Sequence, residues 1–306
     1  MSTVTVVPFP VDLVIAHRRD GSGTGTMFLD RLRGNSNGLD ATGTAAEASF
    51  TTLTNNFNSN TADGIDIGGA AGGGRTWVTY NFKRAPGFMD IVCYTGNSTA
   101  TYAKQTVSHS LGVPPELVIW KSRSSSYAWR VLTGFTATGY TTLMLNATEY
   151  AGSADYNQQV LVTSMPTSSS IQVGNINQSP PYALNMNELG VTNVLYLFAT
   201  LAGVSKVGSY TGNGGSQTIA CGFTTGARFV MIKRTDWSSV SDWYVWDNAR
   251  GIAASATDPH LSLNSMAAEI TTADSIDPAN SGFIAKQNAT TNINVTSATY
   301  IFLAIA

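Results

Sequence analysis

The apolar residues of this chain fall in short runs separated by polar turns. Leu13-Val14-Ile15, Leu117-Val118-Ile119-Trp120 and Phe229-Val230-Met231-Ile232 are unbroken apolar stretches, the pattern of strands covered on both faces. Trp77-Val78-Thr79-Tyr80-Asn81-Phe82 alternates ring or branched residues with small polar ones, as a half-buried strand does. Shorter strands are predicted at Val4–Val7, Met27–Leu32, Glu47–Leu53 and Ile65–Ile67, with loops over Gly34–Gly43 and Gly68–Gly74. Pro8 and Pro10 suit a strand entry or an edge. Gly, Pro, Thr, Val and Asn interrupt any helical apolar period, so only Ser265–Thr272 reads as a turn or two of helix. The expectation is an all-β chain of tandem antiparallel β-sandwich repeats, jelly-roll-like, with very little helix.

The same features recur in the same order. Leu13–His17, Leu117–Lys121 and Phe229–Lys233 are three versions of one strand. Leu143-Met144-Leu145-Asn146 matches Leu261-Ser262-Leu263-Asn264. Asp30-Arg31-Leu32-Arg33-Gly34 matches Asp247-Asn248-Ala249-Arg250-Gly251, and Ala45-Ala46-Glu47 matches Ala267-Ala268-Glu269. A closing strand appears as Tyr80-Asn81-Phe82, Tyr196-Leu197-Phe198 and Tyr300-Ile301-Phe302. Tyr94-Thr95-Gly96-Asn97 and Tyr210-Thr211-Gly212-Asn213 each join two apolar runs. They read as β-hairpins, because Asn and Gly tolerate the positive φ of tight turns. Three related units follow, 1–87, 88–203 and 204–306. The first lacks the Tyr-Thr-Gly-Asn element and reads as a shortened copy, a cap or attachment end.

These motifs resemble the repeated β-domain virion proteins of tailed bacteriophages, aquatic ones in particular. The matching residues in the third unit are Tyr210–Gly214, Val230–Arg234, Trp243–Trp246, Leu261–Asn264 and Tyr300–Ala304. The second unit matches through Tyr94–Asn97, Leu117–Arg123, Leu143–Asn146 and Tyr196–Ala199; the first matches weakly. The resemblance covers most of the chain. It implies a non-enzymatic structural component of the particle: a tail fibre, a baseplate appendage or a capsid decoration. It brings neither catalytic residues nor a cofactor, and it implies other virion proteins as partners.

Composition sharpens this. Charged residues are 12% of the chain, about half the ~25% usual for a globular domain, and the formal net charge is −2. Few charges keep surfaces apart, so packing against copies of itself is expected, a closed homotrimer above all. Clustered Lys and Arg for a nucleic-acid partner are lacking. Arg18, Arg19, Arg31 and Arg33 alternate with Asp20 and Asp30 and read as surface salt pairs. The segment Met1–Pro10 carries no secretory signal pattern, and no apolar run is long enough to span a membrane. A virion protein made in the host cytoplasm fits both.

Candidate chemistry is sparse. Cys93 and Cys221 read as buried free thiols, with a disulfide between them as the other reading. His17 reads as a strand-end residue, His260 as a turn residue and His109 as part of a hairpin; no His-Glu-x-x-His pair is present. Asp63, Asp66, Asp274 and Asp277 fit no calcium loop, and the carboxylates Glu116, Glu149, Glu188 and Glu269 are scattered rather than paired as glycan hydrolysis requires. The aromatic run Trp237, Trp243, Tyr244, Trp246 stands out, with Tyr127 and Trp129 as its counterpart. Alternation puts Trp243 and Val245 on one face and Tyr244 and Trp246 on the other. Trp129, Trp243, Trp246 and Tyr127 are therefore the candidate contact residues, for the core, a neighbouring subunit or a host-surface glycan.

Overall fold

The computed structural model of the chain describes all residues except 1–4, 7–8, 22, 24, 35–36, 50–63, 66–75, 101, 137–138, 149–164, 177–183, 237–240 and 255–256. The fold is all-β, and every ladder is antiparallel. The first group of strands is β1 (Thr5–Val6), β2 (Leu13–Arg18), β3 (Met27–Asp30), β4 (Asn37–Asp40), β5 (Ala48–Ser49), β6 (Gly64–Ile65) and β7 (Trp77–Phe82). The second is β8 (Met89–Thr95), β9 (Lys104–Ser108), β10 (Leu117–Ser122), β11 (Arg130–Thr136), β12 (Gly139–Met144), β13 (Ser170–Ile176), β14 (Leu184–Asn185) and β15 (Thr192–Phe198). The third is β16 (Ser205–Thr211), β17 (Ser216–Ala220), β18 (Phe229–Arg234), β19 (Tyr244–Asp247), β20 (Leu261–Ser262), β21 (Ile276–Ala279), β22 (Gly282–Lys286) and β23 (Thr299–Ile305).

Each group builds one five-stranded sheet, in the orders β5-β4-β3-β2-β7, β12-β11-β10-β15-β8 and β20-β19-β18-β23-β16. The second and third groups add three-stranded sheets, β14-β13-β9 and β21-β22-β17, and the first adds the pair β1-β6. The central strands β2, β10 and β18 are buried at every residue, which is why they read as unbroken apolar runs. One face of each feeds its own sandwich: Val14 and Ala16, Val118 and Trp120, Val230 and Ile232. The other face, Leu13 and Ile15, Leu117 and Ile119, Phe229 and Met231, enters a single core shared by all three sheets. Rings from different sheets meet there, with centroids 5.5 Å apart for Phe28–Tyr196, 5.0 Å for Tyr80–Phe229 and 6.1 Å for Phe82–Phe198.

Four expectations change. First, the Tyr-Thr-Gly-Asn elements are not hairpins. β8 pairs with β15 while β9 pairs with β13, and β16 pairs with β23 while β17 pairs with β22, so each turn carries the chain from one sheet to the other. Glycine is needed there for closeness: a Cβ on Gly96 would stand 2.1 Å from the Glu188 carbonyl oxygen, and one on Gly212 2.2 Å from that of Val295. Fully buried Asn187 and Asn294 fasten the crossings by accepting the backbone N–H of Asn97 and Asn213, each at 3.0 Å. Second, the closing strands align differently. Leu117 pairs with Phe198 and Leu13 with Phe82, but Phe229 pairs with Ile305, so Leu303, not Tyr300, occupies the place of Tyr80 and Tyr196. An odd slip reverses the face, and Tyr300 packs into the third sandwich instead of the shared core.

Third, Ser265–Thr272 forms no helix; Ile270 bridges His260, and the Glu269 N–H donates to the Arg19 carbonyl. Fourth, part of Gly34–Gly43 is strand β4, held by β3 on one side and β5 on the other. The Gly68–Gly74 loop lies outside the described residues.

Candidate functional site at the sheet junctions and the open edge of β7

The repeated Asp-x-x-Arg-Gly corners meet the next sheet through matched buried clusters. Arg33 Nε pairs with Asp30, Nη1 donates to Glu47 at 2.9 Å and Nη2 to the Tyr196 hydroxyl at 3.0 Å; that hydroxyl donates to Asp30 at 2.8 Å. Arg123 of the second sheet reaches the same Glu47 at 2.9 Å. At the junction of the third sheet with the first, Arg250 pairs with Asp247 and Glu269, donates to the Tyr80 hydroxyl at 2.7 Å, and Arg19 closes on Glu269 at 2.7 Å. Burial disfavours the charge on Arg33, but facing Tyr196, Asp30 and Glu47 outweigh it and hold the guanidinium charged. Burial pushes the Tyr196 and Tyr80 hydroxyls well above the usual phenol range, against the pull of their arginines. Burial would raise Glu269, yet hydrogen bonds from Arg19 and Arg250 win and hold it below the usual carboxylate range.

A second set of contacts links the three sheets with the donors running the other way. Trp129 Nε1 of the second sheet donates to the Asp40 carbonyl of the first at 2.8 Å, and Trp243 Nε1 of the third donates to the Met144 carbonyl of the second at 2.8 Å. His17 of the first sheet completes the circuit, with Nε2 3.2 Å from the Ser262 carbonyl and 3.1 Å from that of Ser265. Lys121 likewise reaches the Thr44 carbonyl at 3.0 Å, and Lys233 that of Thr148 at 3.1 Å.

Three of the four candidate contact residues are therefore core. Trp129, Trp243 and Trp246 are buried, Trp129 and Trp243 toward the shared core and Trp246 inside the third sandwich; the expected alternation holds, but both faces are covered. Tyr127 is half-buried at the second sandwich, and its hydroxyl donates to Glu188. Trp237, Glu149, Asp63 and Asp66 lie outside the described residues. His17 is a buried junction residue rather than a surface one, and His260 is buried against Tyr244 and Trp246. The basic cluster is paired as expected, yet Arg18 and Arg33 are buried. Glu116 accepts the Thr200 N–H, and Asp274 and Asp277 both pair with Lys286. Among the described residues both cysteines are free, and no metal-binding group of three His, Cys, Asp or Glu forms.

The most open feature lies at an edge of the first sheet. In the second and third sheets, β15 and β23 carry a further strand, β8 and β16, on their outer edge. In the first sheet β7 holds the same position beside β2, and no strand among the described residues pairs with its other edge. A groove of ≈ 600 Å³ runs along that edge from Val78 to Lys83. Phe229, Ile305, the corner residues Asp247–Ala249 and Phe88 also line it. Arg228 and Lys83 at its rim are exposed and have no charged partner among the described residues. The only sequence signal was the missing Tyr-Thr-Gly-Asn element of the first unit.

Fold and junctions together define an all-β protein of packed sandwiches joined through one core. The chain belongs to the family described as Domain of unknown function (DUF7483), whose pattern it matches over residues 1–306. No curated protein and no solved structure matches it.

Proposed function

We propose that this chain is a non-enzymatic structural component of a tailed-phage particle, a tail-fibre or baseplate-associated protein; capsid decoration is the alternative position. The observation that carries the reading is the use made of the polar chemistry. Arg33, Asp30, Glu47 and Tyr196, and their counterparts Arg250, Asp247, Glu269 and Tyr80, satisfy one another between sheets and act as fasteners. The repeated motifs resembling phage virion proteins support the particle assignment. A homotrimer belongs to the proposal as well, on the strength of the low surface charge; the apolar faces of the three large sheets cover one another within the chain. Gold-labelled antibody on purified particles tests the assignment. Label at the tail supports it, label over the head moves the protein to decoration, and particles free of the chain by mass spectrometry would refute it. Glycan-array binding abolished by a surface change, with folding intact, would favour an adhesin instead.

A further inference from the structure

We propose that the open edge of β7 is a docking site for a β-strand donated by another polypeptide. The argument stands on the sheet order and does not depend on the particle assignment. Two of the three large sheets show what fills this position. β8 lies antiparallel on β15 and sends Met89, Ile91 and Cys93 into the shared core, while β16 lies antiparallel on β23 and sends in Val207. Superposing the ladders places β7 where β15 and β23 lie, since Leu13, Leu117 and Phe229 pair with Phe82, Phe198 and Ile305. The groove beside β7 thus lies where β8 and β16 lie in the other two sheets, and no strand among the described residues occupies it. Its neighbours agree: β16 lies by the Thr133–Phe135 corner, and the groove lies by the equivalent Asp247–Ala249 corner.

The edge also presents the right backbone groups. The Asp12 N–H donates to the Phe82 carbonyl and the Arg19 N–H to the Thr76 carbonyl. Antiparallel alternation therefore turns the N–H and C=O of Trp77, Thr79 and Asn81 to the opposite side, into the groove. An incoming strand bonds to this row and places alternate apolar side chains beside Tyr80 and Phe82, which is strand addition with a pocketed specificity. Run antiparallel to β7, it begins near Phe82, where Lys83 and Arg228 would meet an acidic residue at its N-terminal end. The occupant is thus an extended segment with an acidic start and apolar residues at every second position. The sequence of β8, Met89-Asp90-Ile91-Val92-Cys93-Tyr94-Thr95, has that form.

The probe is an acetylated peptide of residues 89–97 carrying Cys93→Ala, titrated into the full chain by fluorescence anisotropy with hydrogen exchange in parallel. Expected are saturable binding, new protection of the Thr79 and Asn81 amides, and weakening by added salt. In β8 the Val92 pair with Leu195 faces the ladder and Ile91 does not. N-methylation at the Val92 position should therefore weaken binding about tenfold or more, and N-methylation at Ile91 should not. Lys83→Glu with Arg228→Glu should weaken it several-fold. The proposal is overturned if neither this peptide nor one of residues 205–213 binds, if both N-methyl peptides bind equally, or if Thr79 and Asn81 are already protected in the free chain. A dimer that Asn81→Pro dissociates and the peptide cannot compete with would overturn it too, by assigning the edge to a second copy.

Discussion

Replacing Arg33 by methionine isolates the junction between the first two sheets. The arginine side chain is 0% exposed, as is that of Asp30. Methionine keeps most of the apolar volume but removes the bonds to Asp30, Glu47, the Phe28 carbonyl and the Tyr196 hydroxyl. Glu47 keeps Arg123, whereas Asp30 is left with the Tyr196 hydroxyl and one backbone N–H, a buried carboxylate without a cation. Orphaning one partner of a buried ion pair costs about 3–5 kcal/mol. For a chain of this length unfolding as one unit, that lowers Tm by about 6 °C. Urea denaturation followed by tryptophan fluorescence gives the free energy directly. Arg31→Met is the internal reference. Arg31 is 33% exposed and 3.6 Å from Asp12, and its loss should cost under ~1 kcal/mol. Adding Asp30→Asn to Arg33→Met should recover part of the loss, because the orphaned charge goes with it. An Arg33→Met variant as stable as Arg31→Met, or a double variant no better than the single, would refute the view that this cluster fastens the sheets.

Gly96→Ala should cost about 3 kcal/mol or prevent folding, since its Cβ would meet the Glu188 carbonyl; Gly43→Ala, with open space around it, should stay within ~0.5 kcal/mol of wild type in the same urea titration. Trp243→Phe should cost about 2–3 kcal/mol through the orphaned Met144 carbonyl and the void left, and Trp129→Phe a similar amount through Asp40; a change under 0.5 kcal/mol would contradict their placement. Lys121 titrates at about 8 in the folded chain because burial disfavours its charge, against the ordinary 10.5 when unfolded. The unfolded chain therefore binds more protons between these values, and stability from this residue rises with pH across the window, by on the order of 3 kcal/mol. Comparing wild type with Lys121→Met cancels the opposing tyrosines, and a difference that does not change from pH 7.5 to ~10 would refute the assignment.

Periodicity revealed the strands because burial on both faces leaves a signature in the residues themselves: Leu117–Ser122 and Phe229–Arg234 are buried throughout and read so. The corners were legible as a repeated motif, Asp30/Arg33 and Asp247/Arg250, but not as buried pairs, since a salt pair looks the same in sequence at the surface and between sheets. Strand pairing was not legible. A Tyr-Thr-Gly-Asn turn looks the same whether the following strand returns to its neighbour or crosses to the facing sheet, and only the crowding around Gly96 and Gly212 separates the two. The closing strand misled for a related reason. Tyr300-Ile301-Phe302 repeats the letters of Tyr80-Asn81-Phe82, but its register is set by Phe229 against Ile305, and the tyrosine turns to the other face. The tryptophans were ambiguous in kind: alternation says which share a face, while what covers each face depends on sheets distant in the chain.

Three near-copies around one core would, if equal, offer three equal junctions. Departures from equivalence are therefore where the chain can present something without loosening its own body. At the junction of the second and third sheets the corner residue is Thr133 and the tyrosine position is Leu303, so the charged fastener is replaced by an apolar wall beside a cavity of ≈ 490 Å³ lined by Phe135, Met165, Val207 and Ile301. In the first sheet no strand among the described residues covers the outer edge of β7, which keeps polar Thr79 and Asn81 where the equivalent positions of β15 are Leu195 and Leu197. A strand meant to remain bare forever tends to be charged, short or bulged against unwanted pairing. β7 is six residues long, regular against β2, and flanked by a groove lined by Phe82, Phe88, Phe229 and Ile305 together with Lys83 and Arg228. The edge thus lacks the devices that keep a strand bare, and Lys83 beside Phe82 favours a covering strand whose acidic end lies there.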